Sequence, residues 1–271
     1  YMAFAISAGA KIRTIATTIE EGFSLPKVEK FEELINERTK AILICNPNNP
    51  TGYLYTRREM NQIRDLVKKY DLYLFSDEVY REYIYTGSPY ISAMHLEGIE
   101  QNTVLIDSVS KRYSECGIRV GALITKNAEI RKAVMKFCQA RLSVATLDQV
   151  ASAALYTVGS EYFNDVRDEY RRRRDTIYRK LLEIPGVVCK EPKGAFYVMV
   201  DMSALIGKHL GDRQIGGSMD FADMLLENAN VALTPGTAFC AEGYCRISYA
   251  TSMEQIDKGV DRIEHFVNSL V

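Results

Sequence analysis

Short apolar runs alternate with amphipathic segments through the first two-thirds of the chain. The runs that predict strands are residues 11–17, where β-branched and polar residues alternate, and residues 41–45, 72–75, 103–107 and 120–125. The segments that predict helices are 28–38, 56–69, 128–142 and 146–182, the last with a break near Gly159. Buried strands separated by helices are typical of a parallel sheet covered on both faces. We therefore predict an α/β fold with a mostly parallel sheet sandwiched by helices.

The pattern changes after Pro185-Gly186. Residues 195–200 and 244–249 predict strands, residues 218–228 predict a helix, and a final helix is expected from Met253. This mixture favours a smaller α+β domain. We place the large domain at residues 1–178 and the small C-terminal domain at residues 179–271.

Composition excludes several classes of protein. The 271 residues are 47% hydrophobic and 25% charged, as in ordinary globular proteins, and the net charge is -1. Bulk charge thus gives no reason to expect nucleic acid or an anionic membrane as a partner. No apolar run reaches the roughly 18 residues that span a bilayer. The first residues lack the charged segment and cleavage site of a signal peptide.

The cysteines and histidines show no metal-binding pattern. The three histidines are far apart, and no two cysteines form a C-x-x-C pair. Because most of the cysteines lie in or beside apolar runs, we predict buried, reduced thiols in a cytoplasmic protein. The cysteines are Cys45, Cys116, Cys138, Cys189, Cys240 and Cys245.

The segment Ser108-Val109-Ser110-Lys111 directly follows a predicted buried strand, and Arg119 lies eight residues beyond the lysine. Ligands dock at the carboxyl ends of strands in open α/β sheets. Hydroxyls and a guanidinium are suitable phosphate ligands, and a desolvated lysine can form a Schiff base with a carbonyl. A solvated loop lysine near a structural arginine is the alternative.

Two further polar segments follow predicted strands. Asn49 lies in Asn46-Pro47-Asn48-Asn49-Pro50-Thr51-Gly52, where two prolines and a glycine fix the loop. Its amide can bind a phenolic oxygen or a carboxylate. Asp77 and Tyr80 lie in Ser76-Asp77-Glu78-Val79-Tyr80, where a carboxylate can stabilise a protonated ring nitrogen. A plain rigid turn and a capping aspartate remain the alternatives.

Two arginine features need different interpretations. Arg246 lies among apolar neighbours in a predicted strand, where a buried charge needs a partner. A substrate carboxylate or an internal salt bridge would meet that need. The run of four arginines at residues 171–174 points around a helix, which predicts a solvated surface.

Taken as a set, these motifs resemble those of fold-type I, class I/II aminotransferases that depend on pyridoxal 5′-phosphate. The resemblance covers the whole chain. It rests on the Asn46–Gly52 loop, on Ser76 to Tyr80, on Ser108 to Lys111 with Arg119, and on Arg246-Ile247-Ser248-Tyr249-Ala250. It implies a large cofactor-binding domain, a small domain, and transfer of an amino group between an α-amino acid and a 2-oxo acid.

The resemblance implies a role for each residue around the cofactor ring. Lys111 would form the Schiff base with the cofactor and then move the substrate's proton. Asp77 would pair with the ring nitrogen. Tyr80 and Asn49 would hold the ring's phenolic oxygen.

Other residues would hold the cofactor phosphate and the substrate. The resemblance implies that Ser108 and Arg119 bind the phosphate, with Ser110 as a weaker candidate. Arg246 would bind the substrate α-carboxylate, and Asn49 could also contact it. The resemblance further implies a homodimer in which the partner subunit contributes to the site.

The first 45 residues depart from the family's pattern, because they show neither its small-residue phosphate turn nor its ring-stacking aromatic. Residues 143–146 also lack the prolines often found at that bend. With the start at Tyr1, this leads us to expect that a quarter to a third of the enzyme lies upstream. We then expect an exposed apolar patch on the sheet, weak cofactor binding and little activity for the 271 residues alone.

Two other functions stay open. A lyase or decarboxylase on the same fold would share Lys111, Asp77 and Tyr80. An aminotransferase-like regulatory ligand-binding module is also possible, although the neutral net charge and the lack of a basic helix-turn-helix count against it. The residues do not specify which amino acid is the substrate.

Overall fold

The computed structural model describes all residues from 1 to 271. Its α-helices are α1 (Met2–Ser7), α2 (Val28–Glu32), α3 (Arg57–Tyr70), α4 (Val109–Arg112), α5 (Ala128–Arg141), α6 (Thr146–Ala154), α7 (Ser160–Leu181), α8 (Ser218–Ala229) and α9 (Met253–Asn268). Its strands are β1 (Ala41–Cys45), β2 (Tyr73–Asp77), β3 (Thr103–Ser108), β4 (Gly121–Ile124), β5 (Val188–Cys189), β6 (Tyr197–Asp201), β7 (His209–Leu210), β8 (Arg213–Gln214), β9 (Thr234–Pro235) and β10 (Tyr244–Ser248). No helix is both long enough and apolar enough to span a bilayer.

The N-terminal sheet has the strand order β1-β2-β3-β4. The first three strands are parallel, and β4 pairs with β3 in the antiparallel direction. The four strands predicted between residues 41 and 125 are confirmed within two residues at each end, as is the mostly parallel fold. Parallel pairing places the carboxyl ends of β1, β2 and β3 at one edge of the sheet.

Only one face of this sheet is well covered. Helix α3 packs Met60 and Ile63 against Ile44 and Leu74 on that face. On the other face, Leu43 is 44% exposed, because successive side chains of a strand point to opposite sides. This face of the sheet is therefore partly uncovered, as expected for the 271 residues alone.

The exposed apolar surface continues onto the neighbouring elements. All four residues of β4 are exposed, and α5 buries none of its residues. The exposed large apolar side chains of this region are Leu123, Ile124, Met135, Phe137, Leu142, Leu147, Val150 and Tyr156. The expected apolar patch is thus present beside the sheet.

Two predictions for the first 40 residues are wrong. Residues 11–17 form no strand and are mostly exposed, because no other strand pairs with them. The helix predicted over residues 28–38 ends at Glu32. Past that point the backbone N–H of Asn36 donates to the Thr39 hydroxyl and the N–H of Thr39 to the Asn36 carbonyl, which makes a turn.

Helix α3 begins at a complete capping box. The Thr56 hydroxyl oxygen accepts from the backbone N–H of Glu59, and the Glu59 carboxylate accepts from the Thr56 N–H at 2.7 Å. That carboxylate also accepts from the Tyr53 hydroxyl and the Leu25 N–H. Burial raises the pKa of Glu59, but these hydrogen bonds outweigh it and leave the pKa below its usual range.

We expect Glu59→Gln to destabilise the fold by about 1–2 kcal/mol at pH 7, the usual cost of a lost capping interaction with a charged acceptor. Because the folded-state pKa of Glu59 is lowered, its stabilisation is present above the unfolded pKa. It is lost as the pH falls through the folded pKa. The difference in the free energy of unfolding should therefore shrink below about pH 4. Urea unfolding at pH 7 and pH 3.5 measures it, and an equal difference at both values would contradict the ionic role.

The C-terminal half contains an antiparallel sheet of order β5-β6-β10-β9. Helices α7, α8 and α9 supply Ile177, Phe221 and Phe266 to its core. The predicted strands and helices of this half are confirmed, and the predicted break near Gly159 lies directly before α7. The same core also includes Tyr80 and Tyr83 from the N-terminal half. The division at residue 178 falls within α7 and stays a prediction.

The two halves meet at the Asn49 loop. The Gly52 carbonyl accepts from the backbone N–H groups of Lys193 and Gly194, and Ala195 donates to the Tyr83 carbonyl. Gly194 has no room for a side chain, because an added Cβ would lie 2.6 Å from the Pro47 Cβ. This close contact fixes the Asn49 loop against the segment that leads into β6.

Two surface predictions need correction. Arg174 is buried and donates to the Pro192 carbonyl, because that residue of the arginine run faces the core, while Arg171, Arg172 and Arg173 pair with acids of their own helix. All six cysteines are free, but only three are buried. The exposed ones are Cys116, Cys138 and Cys240. Cys138 lies on α5, which buries none of its residues.

Candidate functional site

The predicted site residues lie at one edge of the N-terminal sheet. Asn49 follows β1, Asp77 ends β2 with Tyr80 just beyond it, and Lys111 lies in α4 directly after β3. This grouping follows from the parallel pairing of the three strands. Arg246 joins them from β10 of the other sheet, 197 residues beyond Asn49 in the chain.

Arg246 contacts the Asn49 loop directly. Its Nη1 donates to Oδ1 of Asn49 at 2.9 Å, and its Nη2 donates to the Thr234 hydroxyl at 3.1 Å. The guanidinium lies between the rings of Tyr197 and Phe239, at 4.5 and 4.9 Å from their centroids. Its Nε is buried without a hydrogen-bond partner. No carboxylate pairs with Arg246, so the internal salt bridge that was the alternative is absent.

Tyr80 connects Arg246 with the lysine side of the site. Its hydroxyl accepts from Nδ2 of Asn49 at 3.4 Å and lies 3.0 Å from the Tyr197 hydroxyl. Burial raises the pKa of Tyr80 well above its usual value, and the adjacent Tyr197 hydroxyl adds to this. Tyr80 therefore stays neutral and able to donate a hydrogen bond.

Lys111 reaches the same aromatic cluster. Its Nζ lies 5.8 Å from the centroid of the Phe196 ring. That ring packs edge-on against the Tyr80 ring, with 5.2 Å between the centroids, and its centroid lies 4.8 Å from that of the Tyr197 ring. The ammonium and the Arg246 guanidinium thus lie on one continuous group of aromatic side chains.

The two carboxylate oxygens of Asp77 have different partners, one in the local backbone and one in a distant segment. Its Oδ1 accepts from the Val79 N–H at 3.2 Å, which is a capping contact. Its Oδ2 accepts from the Tyr1 hydroxyl at 2.5 Å. Burial, together with this carboxylate, raises the pKa of the neighbouring Cys45 thiol to about 12. Oδ2 therefore accepts from a donor outside its own segment, which is the Tyr1 hydroxyl in this structure.

The structure does not bring Ser108 and Arg119 into contact. The Ser108 hydroxyl caps α4 by accepting from the Ser110 N–H, and it lies 2.7 Å from the Ser110 hydroxyl. Arg119 is exposed, has a left-handed backbone (φ +61°), and donates to the Cys116 carbonyl. The two residues remain neighbours, because the Ser108 hydroxyl donates to the carbonyl of Val120.

Four further residues of the site are not indicated by any motif in the sequence. Phe196 and Tyr197 begin the apolar run that leads into β6, where the sequence pattern indicates only a strand. Thr234 and Phe239 lie in short elements around Gly236. The only available signal was the aromatic pair directly after Gly194-Ala195, since a buried tyrosine needs a partner for its hydroxyl.

The chain is similar to known proteins along nearly all of its length. Residues 1–263 match the model of the family described as aminotransferase class I and II. A probable aspartate/prephenate aminotransferase of Aquifex aeolicus is 34% identical over 248 residues, which are 90% of this chain and 61% of the relative. An aspartate aminotransferase of Bacillus subtilis is 34% identical over 251 residues, 92% of this chain and 63% of the relative.

The fold is shared with a solved structure. The crystal structure of the aspartate aminotransferase from Rhizobium meliloti has a TM-score of 0.93 at 29% identity, covering 100% of this chain and 68% of that chain. The chain therefore spans a little over three-fifths of the length of the two curated relatives described above.

Proposed function

The chain belongs to the class I and II aminotransferase family, and we propose that it transfers an amino group between an α-amino acid and a 2-oxo acid with pyridoxal 5′-phosphate. One observation carries the proposal. The Lys111 ammonium and an Arg246 guanidinium without a carboxylate partner lie on the same aromatic cluster, beside Tyr80 and at the sheet edge where Asp77 ends its strand. An amine nucleophile and a carboxylate receptor are what this transfer requires.

The residues present fit the cofactor. The Asp77 Oδ2 atom accepts from a donor outside its own segment, here the Tyr1 hydroxyl. The protonated nitrogen of the ring would take the place of that hydroxyl. Neutral Tyr80 and the Asn49 amide offer donors for the phenolic oxygen, and Lys111 would make the Schiff base. When bound, the cofactor supplies an electron sink for the charge left at the substrate Cα.

Hydroxyl and guanidinium donors lie together after β3 and suit the phosphate. We propose Ser108 and Arg119 for this role, with Ser110 as a weaker candidate. The Ser108 and Ser110 hydroxyls already lie within hydrogen-bond distance of each other. Arg119 would have to release the Cys116 carbonyl to reach a phosphate.

The chain's own groups divide the remaining work. Arg246 binds the substrate α-carboxylate with its planar fork, and Asn49 holds that fork in place. The amine of Lys111 would take the proton from the substrate Cα and pass it to C4′ of the cofactor. Phe196 and Tyr197 limit the access of water to the amine, because both are buried.

A lyase or decarboxylase reaction would use the same residues, but the relatives described above carry the names of aminotransferases. No contact favours a regulatory module. We further propose amino acid and 2-oxo acid partners and a homodimer, in which a second copy would cover the exposed apolar side chains beside β4. The cytoplasmic location stays a prediction.

We expect borohydride to trap pyridoxal phosphate on Lys111, because this is the lysine next to the proposed phosphate and ring ligands. Peptide mass spectrometry after reduction locates the label. Lys193, whose ammonium lies over the Tyr53 ring and not over Phe196 as that of Lys111 does, is the internal reference. Labelling of Lys111 no stronger than that of Lys193 would contradict the assignment. In the Lys111→Ala variant, the peptide that contains residue 111 should carry no label.

A second measurement separates the reactions. Amino acids added to the cofactor-loaded protein should give the matching 2-oxo acid and leave the nitrogen on the cofactor. Release of ammonia or carbon dioxide instead would favour the lyase or decarboxylase.

A further inference from the structure

Four charged side chains form a network beside the site residues. Arg81 Nη2 contacts Asp107 Oδ2 at 2.7 Å, and Arg112 Nη2 lies 3.4 Å from the same oxygen. Arg112 Nε lies 3.3 Å from Oε1 of Glu82. Asp107 and Arg112 keep only 15% and 16% of their side-chain surface exposed. We call Arg81, Glu82, Asp107 and Arg112 the charge network.

The network joins the two segments that carry the proposed chemistry. Arg81 directly follows Tyr80, and Asp107 directly precedes Ser108. Arg112 directly follows Lys111. Two of the three ionic contacts, Arg81–Asp107 and Glu82–Arg112, therefore connect the loop after β2 with the end of β3 and the turn that follows it. The third, Arg112–Asp107, lies within that second segment.

The turn that holds Lys111 cannot be stable by itself. Helix α4 has four residues, and a single helical turn fixes more backbone than its hydrogen bonds repay. Besides the charge network, one contact from the other loop fixes it, where the Tyr83 hydroxyl donates to the Lys111 carbonyl at 2.6 Å. The position of Lys111 thus depends on contacts from residues 81–83.

The ionic contacts have no substitute inside the protein. The Oδ1 atom of Asp107 is buried without a hydrogen-bond partner. The Nε and Nη2 atoms of Arg112 are also buried and depend on the longer ionic contacts given above. Two positive and two negative groups balance, so removal of one member leaves a half-buried charge uncompensated.

We propose that the charge network is a positioning device for Lys111, with the Arg81–Asp107 pair as its principal link. The inference rests on the proposed function, because the role of Lys111 does. Neither Arg81 nor Asp107 contacts the reacting atoms in this assignment. They act by holding the turn so that the Lys111 amine meets the carbonyl of the cofactor.

The test measures the rate at which pyridoxal phosphate is trapped on Lys111 by borohydride in the unmutated chain and in variants. We expect Arg81→Gln and Asp107→Asn each to slow trapping about tenfold, and the double variant to lose no more than either single one, as coupled residues do. Arg81→Lys, which keeps the charge, should stay within about threefold of the unmutated chain.

Controls separate positioning from general destabilisation. Asp261→Asn removes an ionic contact with Lys180 between α7 and α9, and it should leave the trapping rate unchanged. Thermal unfolding of every variant shows whether the fold persists. If a neutral variant unfolds, Glu82→Gln replaces it, because this change removes the other ionic contact between the two loops and should also slow trapping.

The outcomes distinguish the two proposals. If the unmutated chain is not trapped at Lys111, the proposed function fails and the positioning role fails with it. If Lys111 is trapped normally and folded Arg81→Gln and Asp107→Asn are trapped at the same rate, only the positioning role is overturned. Independent, multiplying losses in the double variant would also overturn the paired role.

Discussion

Asp77→Asn should slow removal of the substrate's Cα proton by about 10²–10³-fold, the range seen when one group that stabilises transition-state charge is lost. The carboxylate is the charged partner that keeps the ring nitrogen protonated in the proposed site, and a neutral amide cannot take its place. The structural contact of Asp77 should survive, because an amide oxygen can still accept from the Val79 N–H. Single-turnover absorbance with an amino acid deuterated at Cα reports this step.

The control for Asp77→Asn is the fold itself. Urea unfolding should differ little between the variant and the unmutated chain, since the side-chain contacts of Asp77 are hydrogen bonds from Val79 and Tyr1 that an amide oxygen can also accept. A variant that turns over at a near-normal rate would return Asp77 to the capping role that its local contact shows.

Arg246→Lys should raise the KM for amino acids and 2-oxo acids alike, by about ten- to a hundredfold, because a charge-assisted hydrogen bond contributes about 1.5–3 kcal/mol. Lysine keeps the positive charge but lacks the planar fork that matches a carboxylate. It also cannot contact Asn49 and Thr234 with two separate nitrogens as Arg246 does. Steady-state kinetics with both substrates measures the effect.

Arg213→Lys is a matched control for this prediction. Arg213 lies on the exposed β7–β8 hairpin and pairs with Glu227, so its replacement should leave both KM values unchanged. If Arg246→Lys also left both values unchanged, Arg246 would be a structural residue held by its two aromatic neighbours.

The strands and most helices were predictable because their pattern depends on local sequence. The Thr56 cap of α3 and the apolar run of β1 are both visible as local sequence patterns, and both are present in the structure. Residues 11–17 show the limit, since alternation predicts a strand only where another strand offers hydrogen bonds. The burial of Arg174 likewise depends on a carbonyl that lies 18 residues further along the chain.

The positions of candidate site residues were predictable where the residues follow strands. They were not predictable where segments far apart in the sequence meet. Asn49, Asp77, Tyr80 and Lys111 follow three strands, and parallel pairing brings them to one edge. Tyr197 and Phe239, which enclose Arg246, come from two separate segments of the C-terminal half. No local pattern encodes which aromatic rings will face a given guanidinium. For Arg119 the sequence indicated a role in phosphate binding that remains a prediction.

The hydrogen bond between Arg246 and Asn49 has a consequence for the order in which the site forms during translation. Domains generally fold as units during synthesis, from the N-terminal end onward. Translation delivers the sheet edge with Asp77 and Lys111 well before it delivers Arg246, because 197 residues separate the bonded pair. The nascent chain therefore presents the Lys111 amine at a site that lacks Arg246 until β10 has left the ribosome. If Arg246 binds the substrate carboxylate as proposed, recognition of that carboxylate is among the last properties that this chain acquires.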